Sequence, residues 1–107
     1  MARAVSGREG RLVNVYTPHT TCGLLVNEHA DPSVIEDVID AVNRMVPADY
    51  PYRHREGNSD AHIKSTLIGC SVMIPIVDGS LNLGVWQGIF FVDFDGPRTR
   101  SIFVTTL

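Results

Sequence analysis

Residues 31–46 constrain the fold more than any other stretch of this chain. Asp31 supplies an N-cap oxygen, and Pro32 suits the first helical position because its missing N–H would be unpaired there in any case. Glu36 and Asp37 favour the positive end of a helix. Placed at about 100° per residue, Val34, Ile35, Val38, Ile39, Val42 and Met45 fall within an arc of about 140°, while Glu36, Asp37, Asp40, Asn43 and Arg44 point away. Asp40 precedes Arg44 by one turn, an ordering that adds a few tenths of a kcal/mol on an exposed helix. Pro47 stops the pattern near Val46. A stripe of this kind calls for a sheet on one side and water on the other.

The flanking segments supply strands. Residues 11–17 alternate, Pro18 interrupts the ladder for want of an N–H, and Cys22-Gly23-Leu24-Leu25-Val26-Asn27 reads as a second strand, the two forming a first hairpin. After the loop signals Pro51, Gly57 and Asn58, Ser59 or Asp60 can cap a short second helix over about 60–68, ended by Gly69, with Ile63 and Leu67 on its inner stripe. Asp60 and Lys64 lie four apart on it and are placed to pair. Residues 70–77 form a strand in which Pro75 must occupy an edge, a bulge or a non-donating position. Asp78-Gly79 is a hairpin turn, residues 80–94 read as one long strand, Asp95-Gly96-Pro97-Arg98 turns again, and 99–105 returns as a strand, which together make an antiparallel meander. The expected class is α+β: one compact domain over residues 1–107, mostly antiparallel or mixed sheet with one main amphipathic helix and one short helix.

A chain of 107 residues holds one core and not two. A formal charge of -3 gives no electrostatic reason for a nucleic-acid or membrane surface, though it leaves room for one small phosphorylated ligand. No apolar run approaches the ~20 residues that span a bilayer, and the first residues lack the apolar core of a secretory signal, so the expected location is cytoplasmic. Cys22 and Cys70 fit no metal spacing and read as small buried apolar residues.

The polar material concentrates in residues 52–64, YRHREGNSDAHIK, which hold His54 and His62, Glu56 and Asp60, Arg53 and Arg55, and the only lysine, Lys64. Such a segment packs badly and serves a polar site well. His19, His54 and His62 all fall in loops or at element ends, where side chains are free to converge; three imidazoles with an open fourth position would make a catalytic type of metal site, for zinc or another divalent ion such as magnesium. The competing reading is ordinary surface and capping histidines. Glu28 and Asp60 are the carboxylates best placed to ligate or to hold a histidine ring, Asp60 serving equally as a cap. Thr20, Thr21, Lys64 and Arg98 are the groups a phosphate would use, and Gln87 is a candidate pocket amide. Trp86 reads as core.

His19-Thr20-Thr21, Asn27-Glu28-x-Ala30-Asp31-Pro32, the run from Glu56 to Lys64, Gly84-x-Trp86-Gln87-Gly88-Ile89 and Asp95-Gly96-Pro97-Arg98 stand in the order of the successive motifs of the YjbQ-like family, also called secondary thiamine-phosphate synthases. The chain resembles that family from about Gly10 to Val104. The resemblance implies a homotrimer with a polar pocket near subunit contacts, and places His19, Glu28, His54, Asp60, His62 and Lys64 in signature segments. It also implies a promiscuous transferase that joins a pyrimidine-methyl diphosphate to a thiazole phosphate, with His19, Glu28, Asp60 and His62 in catalytic roles. Family members carry a strand-bearing segment ahead of the region matching Arg11, where ten residues stand here, so the usual N-terminal strand is expected to be missing. Two other readings stay open: a metal-assisted hydrolase, and a non-catalytic trimer that holds a small anion or an ion.

Overall fold

The computed structural model describes residues 11–107; the question of an N-terminal strand lies outside the described residues. Six strands and two helices follow in the order β1 (Arg11–Tyr16), β2 (Cys22–Glu28), α1 (Pro32–Met45), α2 (Ser59–Ile68), β3 (Ser71–Val77), β4 (Ser80–Leu81), β5 (Gln87–Asp93) and β6 (Phe103–Thr106). They form a four-stranded antiparallel sheet in the order β4-β3-β1-β6 and a separate antiparallel ribbon of β2 and β5. The class is α+β, as the patterning implies. Among the described residues no helix is long and apolar enough to cross a membrane.

Several local rules hold as read. Asp31 caps α1 through a 2.9 Å bond from the Ser33 N–H, with Pro32 in the first turn. Asp78 and Gly79 take positive φ of 52° and 77° and close the two-residue turn between Val77 and Ser80. Pro75 sits inside β3 without breaking its ladder to β1. Its carbonyl faces the β4 side, accepting from the Asn82 N–H, so the missing donor falls on that side too, beyond the short β4.

The sheet connectivity differs from the expected hairpin and meander. β1 pairs with β3 and β6, and β2 pairs with β5, so the first two strands belong to different sheets. The long strand over 80–94 is broken in two: Gly84 N–H donates to Gln87 Oε1 at 2.8 Å and Gln87 N–H donates to the Gly84 carbonyl at 3.0 Å, closing a turn that sends β5 away from β4. Trp86, in that turn, is 62% exposed rather than core. Cys22 is buried, but Cys70 is exposed.

α1 keeps its expected orientation, with Val34, Ile35, Val38, Ile39 and Val42 half-buried and Glu36, Asp37, Asp40, Asn43 and Arg44 exposed. α1 has no fully buried residue, and Met45 at its end is exposed. α2 packs on β2. Gly23 permits this, since a Cβ there would stand 2.7 Å from Ile68 Cγ2, and Leu24 N–H bonds the Gly69 carbonyl at 3.0 Å. The face α2 turns inward is Asp60, Ala61, Lys64 and Ser65, while Ile63 and Leu67 are exposed. The interior of the described chain therefore combines Val15, Cys22, Leu24, Val46, Ala61 and Ile74 with Thr17, Thr21, Asp60, Lys64 and Ser65.

Candidate functional site

The connection from β1 to β2, residues 17–21, lies between the N-terminal half of α2 and the segment that follows β5. Thr17, buried, anchors it by donating from Oγ1 to the Ser101 carbonyl, and Ser65 Oγ on α2 donates to the Cys22 carbonyl. Two cavities open here. A polar one of about 300 Å³ is lined by Pro18, His19, Thr20, Thr21, Glu56, Asn58, His62, Asp95, Arg98 and Arg100. A second of about 490 Å³ is lined by Tyr16, Thr17, Pro18, His19, Thr20, His62, Ser65, Thr66, Gly69 and Cys70. Pro18, His19, Thr20 and His62 belong to both, so the two histidines stand at the wall the cavities share.

His19 is held by a bond from the Ser101 N–H to its Nε2 at 2.9 Å. A backbone N–H can only donate, so the Nε2 lone pair is engaged and the neutral ring carries its proton on Nδ1. His54 meets His62 edge to face, ring centroids 5.3 Å apart, and its Nε2 lies 3.1 Å from Glu56 Oε1. Among the described residues no three His, Cys, Asp or Glu side chains are grouped to hold a metal ion, so His19, His54 and His62 do not form a complete ligand set within one chain.

Other expected site residues lie elsewhere. Asp60 and Lys64 are both buried and pair with each other at 2.8 Å, and neither is among the residues that line the two cavities. Asp60 is accordingly not the cap of α2, a position held by Asn58. Glu28 and Gln87 face each other at the far end of the ribbon, whereas Cys22 and Asp93 close the end beside the cavities. Six residue steps at ~3.3 Å separate Glu28 from Cys22 by about 20 Å, so within one chain Glu28 does not meet His19. Gln87 serves its own turn.

A model of the family described as UPF0047 protein YjbQ-like matches residues 2–107. The chain belongs to this family. It is 56% identical over 90 residues to a UPF0047 protein of Methanocaldococcus jannaschii, a match covering 84% of this chain and 65% of that one. The chain thus spans about two thirds of that relative's length. It is 45% identical to the UPF0047 protein YugU of Bacillus subtilis, covering 84% of this chain and 69% of that protein. Among solved structures, it resembles a YjbQ/UPF0047-family protein of Clostridium acetobutylicum with a TM-score of 0.88 and 48% identity, over 90% of this chain and 74% of that one. A hypothetical protein of Thermus thermophilus gives a TM-score of 0.86 and 46% identity, over 90% and 77% of the two chains.

The YjbQ-like chain also uses residues that its sequence did not single out. Arg100 donates from Nε and Nη2 to the two Asp93 oxygens at 2.9 and 2.7 Å, and from Nη2 to Thr21 Oγ1 at 3.0 Å. Arg98 bonds the Asp95 carbonyl and carboxylate, each at 3.0 Å. Asn58 Nδ2 donates to that same carboxylate at 2.8 Å, tying the start of α2 to the turn. The Arg100 fork lowers the Asp93 carboxyl to about 2, and Asp93 in return raises the guanidinium. The buried Cys22 thiol is pushed up, first by burial and then by the Asp93 charge, which disfavours its thiolate. The signal for this cluster was present in the order Asp93-x-Asp95-Gly96-Pro97-Arg98-x-Arg100. Two acids and two arginines are nested about a Gly-Pro turn, and the turn pairs inner with inner and outer with outer. Gly96 fits because a Cβ there would stand 2.7 Å from Asp93 Oδ2.

Proposed function

We propose that the paired cavities are a small-molecule site that brings a phosphorylated molecule and a second precursor together, in the manner of a thiamine-phosphate synthase. The observation that carries this reading is the sharing of His19 and His62 by two adjoining cavities. Joining two precursors requires two neighbouring seats with hydrogen-bonding groups between them. In the reaction a carbon–nitrogen bond forms at the pyrimidine-methyl carbon as the carbon–oxygen bond to diphosphate breaks, and negative charge gathers on the leaving group. The polar cavity offers Thr20, Thr21 and Arg98 to a phosphate. His19 presents a fixed Nδ1–H donor, and His62, whose ring has no such bond to the main chain among the described residues, is the acid–base group at the shared wall. Asp60 and Lys64 act by holding the helix that carries His62. A divalent ion, zinc or magnesium, enters this reading only as the companion of the diphosphate, since the three histidines do not by themselves enclose one.

The reading includes a homotrimer in the cytoplasm. Val85, Trp86, Phe103, Val104 and Met45 are 85%, 62%, 54%, 67% and 71% exposed, apolar surface that contacts between subunits would cover. Copies packed through these surfaces would also give Glu28 a route to a neighbour's cavity. Incubating the protein with both precursors and assaying for thiamine phosphate tests the activity. Formation that falls at least ~10-fold in His62→Ala is the expected result. Wild type without turnover, but stabilised by phosphorylated molecules, would instead favour the non-catalytic binding reading. That alternative draws on one specific observation: both cavity arginines are already paired with carboxylates.

A further inference from the structure

We infer that Arg100 is the anion anchor of the polar cavity, with Asp93 as its positioning residue, and that the cavity takes a single phosphoryl group in preference to a diphosphate. The inference rests on the reading of that cavity as a small-molecule site.

Among the described residues two arginines reach the cavity, and they are held differently. Arg98 leaves 58% of its side chain exposed and is tied by one nitrogen to the main chain and by another to Asp95. Arg100 is only 11% exposed along its side chain and is fixed by the Asp93 carboxylate, with Thr21 and the Asp95 carbonyl around Nη2. All of its bonds to described residues use Nε and Nη2 and none uses Nη1. Its remaining N–H donors therefore sit on a guanidinium that has already lost its rotamer freedom, which is the condition for a strong charge-assisted bond to an incoming oxyanion. Arg98, more than half exposed, gives up more entropy for the same bond.

The charge around the cavity limits what can enter. Among the described residues, Arg98 and Arg100 face Glu56 and Asp95 in the lining, and Asp93 stands on Arg100, which leaves two positive against three negative groups. A site so charged offers directional donors without a surplus of positive charge. One phosphoryl group can satisfy the donors, while a second brings further negative charge with nothing to neutralise it. In the transferase reading this makes the polar cavity the seat of the monophosphate partner.

Titration calorimetry with inorganic phosphate and with pyrophosphate, in low salt with a chelator present, tests this on the wild-type chain. Phosphate is expected to bind roughly 10-fold more tightly than pyrophosphate, and Arg100→Lys to weaken phosphate about 10-fold or more against less than about 3-fold for Arg98→Lys. Free guanidinium is expected to restore phosphate binding to Arg100→Ala and not to Arg98→Ala. Asp93→Asn removes one negative charge, so the preference for phosphate over pyrophosphate should shrink in that variant. A purely structural Asp93 would leave this ratio unchanged, since a general loss of fold affects both ligands alike. Tighter binding of pyrophosphate by wild type, a larger loss in Arg98→Lys, or an unmoved ratio in Asp93→Asn overturns the inference while the site stands. Absence of phosphate binding by wild type overturns the site reading as well.

Discussion

α1 and α2 satisfy opposite rules. α1 places six apolar side chains on one face, five of them half-buried and Met45 exposed, while α2 turns Ile63 and Leu67 outward and buries Asp60 and Lys64. The difference lies in the strand each helix meets. α2 reaches β2 at Gly23, where the absent side chain lets Ile68 and the Gly69 carbonyl approach, and the face that approach turns inward carries the ion pair. The pair is tolerated because each partner answers the other at 2.8 Å. Apolar patterning thus tells which face of a helix would gain from cover, whereas in α2 close backbone approach decides which face receives it.

The largest effect should come from breaking the α2 pair. Lys64→Met leaves Asp60 buried without a partner and is expected to cost about 3–5 kcal/mol in denaturant unfolding, with most of the loss regained in the double variant Asp60→Leu/Lys64→Met. A cost under ~1 kcal/mol would mean that water reaches the pair and that the two helices differ less than their packing implies.

The Asp93–Arg100 pair extends the polar interior beyond α2. Removing its charge-assisted bonds in Asp93→Asn should cost about 2 kcal/mol near neutral pH. Its acid dependence has a defined sign. The folded carboxyl is depressed from 3.8 to about 2, so the stabilisation is complete above the unfolded value and is lost as pH falls from about 4 through about 2. Thermal unfolding across that window should show a smaller pH slope in Asp93→Asn than in wild type. Equal slopes would detach this pair from the stability of the fold.

Gly23→Ala tests the approach that selects the buried face. Its Cβ would stand 2.7 Å from Ile68 Cγ2 and 3.3 Å from the Gly69 carbonyl, and the expected loss is about 1–2 kcal/mol. Trimming the other side with Ile68→Ala should make the glycine substitution less costly in the double variant than alone.

The smallest effect belongs to α1. Asp31→Ala removes the cap bond to Ser33 and should lower stability by about 1 kcal/mol, because a helix that buries no residue fully can fray without opening the interior.

Local features of the fold were legible where one residue settles the backbone. Asp31 and Pro32 start α1, Asp78-Gly79 makes its turn, and Pro75 finds a position where no donor is needed. The site was legible only in part. His19, Thr20, Thr21, His62 and Arg98 do meet around one cavity, and His54 stands against His62. Glu28 and Gln87 share motif segments with them yet lie at the opposite end of the β2–β5 ribbon, because strand register, which motif order does not encode, decides which end of a strand a residue occupies. Arg100 escaped because it follows the recognisable Asp-Gly-Pro-Arg turn by two positions and draws its role from Asp93 and Thr21, the latter 79 residues away.

By itself the sequence determined the class of the domain, the family, both helices and the tight turns, since caps, prolines, glycines and hydrophobic period act through neighbours along the chain. Only the tertiary structure decided that β2 leaves β1 for β5, that the sole lysine is buried against Asp60, and that His19 spends its Nε2 on Ser101. Each of these depends on a partner dozens of residues away or on which helix face a glycine admits, and such pairings are set by whole-chain packing.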